Sequence, residues 1–218
     1  VNPVHHLDAT SLMSHAAGVL PTAFAVVAAT HLSVCAQCRA QLALAERIGG
    51  VLLGKQEPAA TADHAREAML ELIKVPLPEK AAPSAPDRDH SDSLPAPLRP
   101  YFGESLSRLP WRFVAPGIRR VAAQREVSGG SLMLLSVAPG KSIPEHTHGK
   151  NEMTCILRGA YDDILGHFGP GDLADLDGET THQPITSPGT PCICVAATDA
   201  PLRFKGWLVR TLQPLFNL

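Results

Sequence analysis

The sequence predicts two unlike halves: a small all-helical domain, then an all-β sandwich or barrel. Three observations carry this. Residues 76–100 hold seven prolines, and the stretch AAPSAPDRDHSDS within them has no large apolar side chain. Proline sustains neither a helix interior nor a central strand, so this reads as an extended, solvated linker. Before it, apolar residues recur at helical spacing; after it come short, often β-branched runs punctuated by Gly and Pro. The division is therefore a helical domain over 1–78, a linker over 79–94 and a β domain over 95–218.

Each element follows in order. Leu12, Met13, Ala16 and Ala17 share helical spacing over 10–17, and Gly18 is a stop. Pro21 and Thr22 open an Ala-rich run lasting to Gly49–Gly50, which reads as one long helix. A third helix spans His64 to Val75, where Pro76 ends it; Ala68, Met69, Leu72 and Ile73 form a modest apolar stripe. Strands are expected at Trp111–Ala115, Val121–Arg125, Ser131–Ala138, Met153–Leu157 and Cys192–Ala197. The turn residues Pro116–Gly117, Ser128–Gly130, Pro139–Gly140, Gly169–Gly171 and Ser187–Gly189 separate them. Trp111, Phe204, Trp207 and Phe216 are expected to pack the β domain, and the apolar tail TLQPLFNL to dock.

Composition narrows the function. The chain has 218 residues, 19 Lys+Arg against 21 Asp+Glu, and 44% hydrophobic residues. A net charge of −2 gives no basic field for nucleic acid or an anionic membrane. Balance holds on each side of the linker, with six basic and seven acidic residues before Ala81, twelve and eleven after Leu94. Aromatics at 5% make base-stacking platforms improbable. The longest run without charged side chains, 9–38, is interrupted by His15, Pro21 and His31 and led by Ala, so it is neither a membrane span nor an export signal. Five cysteines, two of them as C-x-x-C, are a poor disulfide framework and point to a reducing, cytoplasmic compartment.

Two constellations carry chemistry. In HLSVCAQC, His31, Cys35 and Cys38 stand at i, i+4 and i+7, within roughly a 60° arc of a helix. Two thiolates and an imidazole suit a tetrahedral Zn²⁺. A fourth ligand is needed; His6, just before the first helix, is the choice, with His5 and His15 as competitors. A closed Cys₂His₂ set is structural rather than catalytic. The bland alternative, a core histidine beside two small buried cysteines, fits each residue singly but not the three together. H-x-x-x-C-x-x-C on an early helix with a histidine near the N-terminus resembles the zinc-binding anti-sigma domain. That resemblance implies His6, His31, Cys35 and Cys38 as zinc ligands, and a domain that sits between the two domains of an extracytoplasmic-function sigma factor and holds it inactive.

The second constellation is GKSIPEHTHGKNEMTCILRG. Alternation puts His146 and His148 on one strand face, and Glu152 can return beside them after a short turn. Imidazoles with a carboxylate suit Zn or another divalent transition ion. Gly140, five residues, His146-x-His148, three residues, Glu152, six residues and Gly159 resemble the first cupin motif at every position. GPGDLADLDGETTH resembles the second motif less well, with Leu176 or Asp177 where proline is usual; it offers His182 as fourth ligand. Cys192 and Cys194 share a strand face and read as small core residues, with a redox pair as the sharper alternative.

A zinc anti-sigma domain followed by a cupin resembles the ChrR-type anti-sigma factors over nearly the whole chain. The resemblance implies a non-enzymatic, zinc-dependent inhibitor of transcription initiation, bound one-to-one to its sigma factor without contacting nucleic acid or membrane. The cupin β-barrel would release the sigma factor under singlet-oxygen-type oxidative stress. The rival is a metal-dependent cupin oxygenase carrying a zinc-stabilised helical docking domain.

Overall fold

The computed structural model of the protein describes residues 2–76, 92–200 and 203–204. Four helices come first: α1 (Ala9–Ala16), α2 (Thr22–Leu32), α3 (Ala36–Gly54) and α4 (Ala65–Lys74). Asp8 caps α1, its carboxylate accepting the Ser11 N–H at 2.6 Å. The single long helix expected from Pro21 onward is in fact two. Ser33 turns its hydroxyl back onto the Thr30 carbonyl at 2.7 Å, and Cys35 takes an extended conformation (φ −91°, ψ 106°) as the N-cap of α3. Its sulfur accepts the Cys38 N–H at 3.4 Å. Side-chain capping thus ends one helix and starts the next where composition alone shows no break. α4 matches its expected span to within one residue at each end.

α2 is buried around most of its circumference: Ala23, Phe24, Val26, Val27, Ala28, Thr30, His31 and Leu32 are all inside. A helix apolar on every face needs cover on every face, which explains the uncharged run. The cover comes from the β half. Twelve strands follow among the described residues: β1 (Arg112–Ala115), β2 (Ile118–Ala122), β3 (Ser131–Val137), β4 (His146–Thr147), β5 (Glu152–Arg158), β6 (Tyr161–Asp163), β7 (Gly166–Phe168), β8 (Leu173–Leu176), β9 (Thr181–His182), β10 (Ile185–Thr186), β11 (Cys192–Thr198) and β12 (Arg203–Phe204). One sheet has the order β1-β2-β3-β11-β5-β8, and two smaller ones have β10-β6-β7 and β12-β4-β9. All pairings are antiparallel.

Four of the five expected strands sit where the sequence places them. The strand expected over Val121–Arg125 instead starts at Ile118, because pairing begins directly after the tight turn at Gly117 (φ 84°). The strands of two to four residues at β4, β6–β8, β9 and β10 were not expected; they are too short to show alternation. Two one-turn 3₁₀ helices (Ala96–Leu98 and Leu106–Arg108) flank α5 (Arg99–Phe102), also unexpected. Leu7, Leu12 and the α2 side chains join Leu94, Leu98, Phe102, Leu134, Met153, Leu173 and Val195 in one hydrophobic core. The helical and β halves therefore share their interior.

Both ends of α2 are seated on β-half loops. At its start, Ser128 O accepts the Ala23 N–H at 3.2 Å and Ser128 Oγ accepts the Thr22 N–H at 3.3 Å, satisfying donors a helix leaves open. Gly129 (φ 81°) lies so close to Pro21 that any Cβ there would collide with the proline ring. At its far end, His31 bonds to Gly171. Trp111 is half-buried against the shared core. Trp207, Phe216, the tail from Thr211, most of the expected linker and the Phe204 side chain lie outside what is described. No helix among the described residues is long and apolar enough to cross a membrane.

Candidate metal centres

The first centre is assembled from two helices and the N-terminal segment. His31 lies in the last turn of α2, Cys35 caps α3, Cys38 lies in its first turn, and His6 approaches from before α1. One donor atom from each of the four lies within 4.8 Å of all the others. His31 Nε2 stands 3.2 Å from Cys38 Sγ, and His6 Nδ1 stands 3.3 Å from Cys35 Sγ. Ligands around a tetrahedral Zn²⁺ would be spaced ~3.5 Å for sulfur to nitrogen. The competitors are elsewhere. His5 stacks on Phe168 with ring centroids 3.9 Å apart, and His15 on α1 is outside the group. The donors do not lie along one helix, as the spacing suggests; a helix break between His31 and Cys35 brings them together.

The hydrogen-bond pattern of this centre fits a cation. His31 Nδ1 lies 2.7 Å from the Gly171 carbonyl. A carbonyl only accepts, so Nδ1 carries the hydrogen and Nε2 turns a bare lone pair toward the sulfurs. Burial, opposed by the Gly171 bond, holds the His31 imidazole below its usual range. Burial also pushes the Cys38 thiol up to about 11.

The second centre lies between the small strands. β4 and β9 pair with His146 directly opposite His182, which puts both side chains on one face. His148 follows β4. His182 Nε2 is 3.1 Å from both His146 Nε2 and His148 Nε2. Adjacent nitrogen ligands stand ~3.0 Å apart on an octahedral ion and ~3.4 Å apart on a tetrahedral one. All three rings are buried. His146 Nδ1 donates to the Pro144 carbonyl at 2.8 Å and His182 Nδ1 to the Asp163 carboxylate at 2.9 Å. Two bare Nε2 lone pairs thus face each other at 3.1 Å, an arrangement that repels unless a cation lies between. Burial, opposed by the bond to Pro144, holds His146 down to about 4, so its own Nε2 takes up no proton at neutral pH.

Glu152 opens β5 beside this trio but outside it. Its Oε2 lies 3.0 Å from His148 Nδ1, off the line of an N–H, so that buried nitrogen has no hydrogen bond. Burial disfavours the Glu152 carboxylate, yet contact with His148 and the neighbouring imidazoles outweighs it and lowers its pKa. Glu152 therefore lies beside the trio as an anion against His148. An open cleft of about 460 Å³ beside His182 is lined by Glu145, Asp162, Asp163 and Thr181.

Asp163 was not singled out by the sequence. Alternation in β6 offered the signal: Tyr161 is buried, Asp162 exposed, and the Asp163 carboxylate again inside. Cys192 and Cys194 sit in the core with Ile156, Tyr161 and Phe168; burial raises both thiols, Cys192 to about 12.

Comparison with known proteins sets these centres in context. A family model described as the ChrR cupin-like domain matches residues 104–200. The anti-sigma-E factor ChrR of Cereibacter sphaeroides is 37% identical over 216 residues, 98% of this chain and 98% of that protein. The ChrR chain in the crystal structure of Rhodobacter sphaeroides SigE in complex with the anti-sigma ChrR superposes with a TM-score of 0.77 at 33% identity, covering 91% of this chain and 100% of that one. The fold is thus a set of N-terminal helices followed by a cupin-like β domain. With similarity running end to end, through both the helical and the β parts, the chain belongs to the ChrR family of anti-sigma factors.

Proposed function

We propose that this protein is a zinc-dependent anti-sigma factor that holds an extracytoplasmic-function sigma factor in a one-to-one complex in the cytoplasm. Residues 1–78 provide the docking surface, with zinc on His6, His31, Cys35 and Cys38. Residues 95–218 sense oxidative stress of the singlet-oxygen type through a divalent ion, zinc or another transition metal, on His146, His148, His182 and Glu152. When bound, the first ion would lock the helices in place, and the second would supply an oxidant-sensitive centre. We read the barrel as a sensor and not an enzyme.

The observation that carries this reading is an apolar helix surface left exposed among the described residues. α4 is amphipathic but buries no residue; Met69, Leu72 and Ile73, at i, i+3 and i+4, are 62%, 66% and 76% exposed. On α3, Leu44, Ile48 and Leu52 repeat every fourth residue and are all exposed. Helix stripes of this kind belong against a partner. The relative seen in complex with SigE supports a sigma factor as that partner.

The test is a pull-down from native lysate with the full chain, read by mass spectrometry. Wild type should retain a sigma factor; Leu72→Glu/Ile73→Glu, at unchanged zinc content, should lose it at least 100-fold. Cys35→Ser/Cys38→Ser should lose it too. Folded, zinc-loaded wild type that retains none overturns the reading. The open cleft beside His182 favours the oxygenase alternative, for which the purified barrel would hold redox-active iron or manganese and consume oxygen with an added substrate.

A further inference from the structure

We propose that Asp172 is a positioning residue for the Cys/His centre: a turn of the β half orients that centre's two imidazoles, so metal occupancy and docking of the helical half on the barrel form one coupled equilibrium. This rests on the zinc reading above. Cys35 and Cys38 belong to α3, and the first turn of that helix sets their sulfurs locally. The imidazoles have no such local support. His31 is fully buried and its Nδ1 is bound, at 2.7 Å, to the carbonyl of Gly171. His6 sits on an N-terminal segment that the same turn holds down.

Asp172 holds it. Its side chain is buried, the residue being 4% exposed, and both oxygens are spent on backbone N–H groups. Oδ1 accepts from Val4 at 2.6 Å and His5 at 2.9 Å, and Oδ2 accepts from Gly169 at 2.8 Å. The neighbouring barrel backbone adds to the clasp: the Leu173 N–H reaches His5 O at 3.4 Å, and His5 Nε2 lies 3.0 Å from His167 O. The turn is itself rigid, tied to β5 by Gly171 N–H to Ile156 O at 2.8 Å and Ile156 N–H to Asp172 O at 3.0 Å. Outer partners that orient metal-bound histidines alter affinity by 10–100-fold when removed. Coupling of two binding events is reciprocal, so an ion on the four donors must also tighten residues 4–6 against the barrel.

Cobalt(II) titration of the full, metal-free chain tests this, because a sulfur-to-cobalt charge-transfer band reports the Cys/His centre alone. Asp172→Ala should weaken cobalt at that centre by 10–100-fold. Asp172→Asn, which keeps an oxygen for Val4 and His5, should recover most of the loss. In a Cys35→Ser/Cys38→Ser background, Asp172→Ala should leave cobalt affinity at the three-histidine centre unchanged. Zinc should slow hydrogen exchange of the Val4 and His5 amides in wild type and not in the double serine variant. Unchanged affinity in Asp172→Ala, or equal loss at both centres, overturns the proposal. Absence of the sulfur band in wild type would instead overturn the zinc reading on which it rests.

Discussion

Cys35 begins a helix and turns its sulfur toward His6, and its neighbour Cys38 shows what burial does to a thiol in such a position. Burial pushes the Cys38 thiol up to about 11, so at pH 7 the metal-free side chain carries its proton. A metal takes the thiolate, so loading must expel that proton, and affinity must rise with pH up to that range. In the three-histidine centre His146 behaves oppositely: held down to about 4, its nitrogen is already unprotonated at pH 7. Zinc titration calorimetry in buffers of different ionisation enthalpy should show at least one proton released per ion at the Cys/His centre, and that release should be lost in Cys35→Ser/Cys38→Ser. At the histidine centre, the contribution of His146 to affinity should persist through neutrality and be lost as pH drops toward 4. Removing the carboxylate that fixes the His182 tautomer, Asp163→Ala, should weaken metal there 10–100-fold without touching the sulfur band.

Among the elements, α2 links the halves. Its placement depends on the Ser128–Gly130 loop at one end, where Gly129 makes room for Pro21. Gly129→Ala would combine left-handed backbone strain of ~1–2 kcal/mol with a collision against Pro21. Gly140, at φ 67° but with open space around it, provides the control, since Gly140→Ala incurs the strain alone. In urea unfolding of the metal-loaded protein, Gly129→Ala should lose clearly more stability than Gly140→Ala. Phe24→Ala, in the buried face of α2, should cost ~3–5 kcal/mol. α4 obeys different rules: since none of its residues is buried among the described residues, Leu72→Glu/Ile73→Glu should barely move the unfolding midpoint while it abolishes partner binding.

At the scale of the whole molecule, legibility follows sequence distance. Donors close in sequence could be read from spacing: His31, Cys35 and Cys38 within eight residues, His146, His148 and Glu152 within seven. His6 and His182 were chosen by chemistry and by resemblance, and the fold brings both to their sites. The break between α2 and α3 was hidden because a sulfur, an unusual cap, starts α3. The short strands were hidden because two residues cannot alternate. The contacts of Asp172 with Val4 and His5 span 167 or more residues, beyond the reach of any local pattern. Nor could composition show that a proline-rich stretch separates two halves whose side chains meet in one interior.

That shared interior has a consequence for how the protein is made. α2 leaves the ribosome well before β11, and some 160 residues are synthesised between Leu32 and Cys192. At ~5–20 residues per second this leaves a nascent chain waiting roughly 8–30 s with a largely apolar helix and no completed sheet to receive it. Translation intermediates stalled before Cys192 should therefore cross-link to nascent-chain chaperones through Val26 and Val27, and the released, folded chain should not.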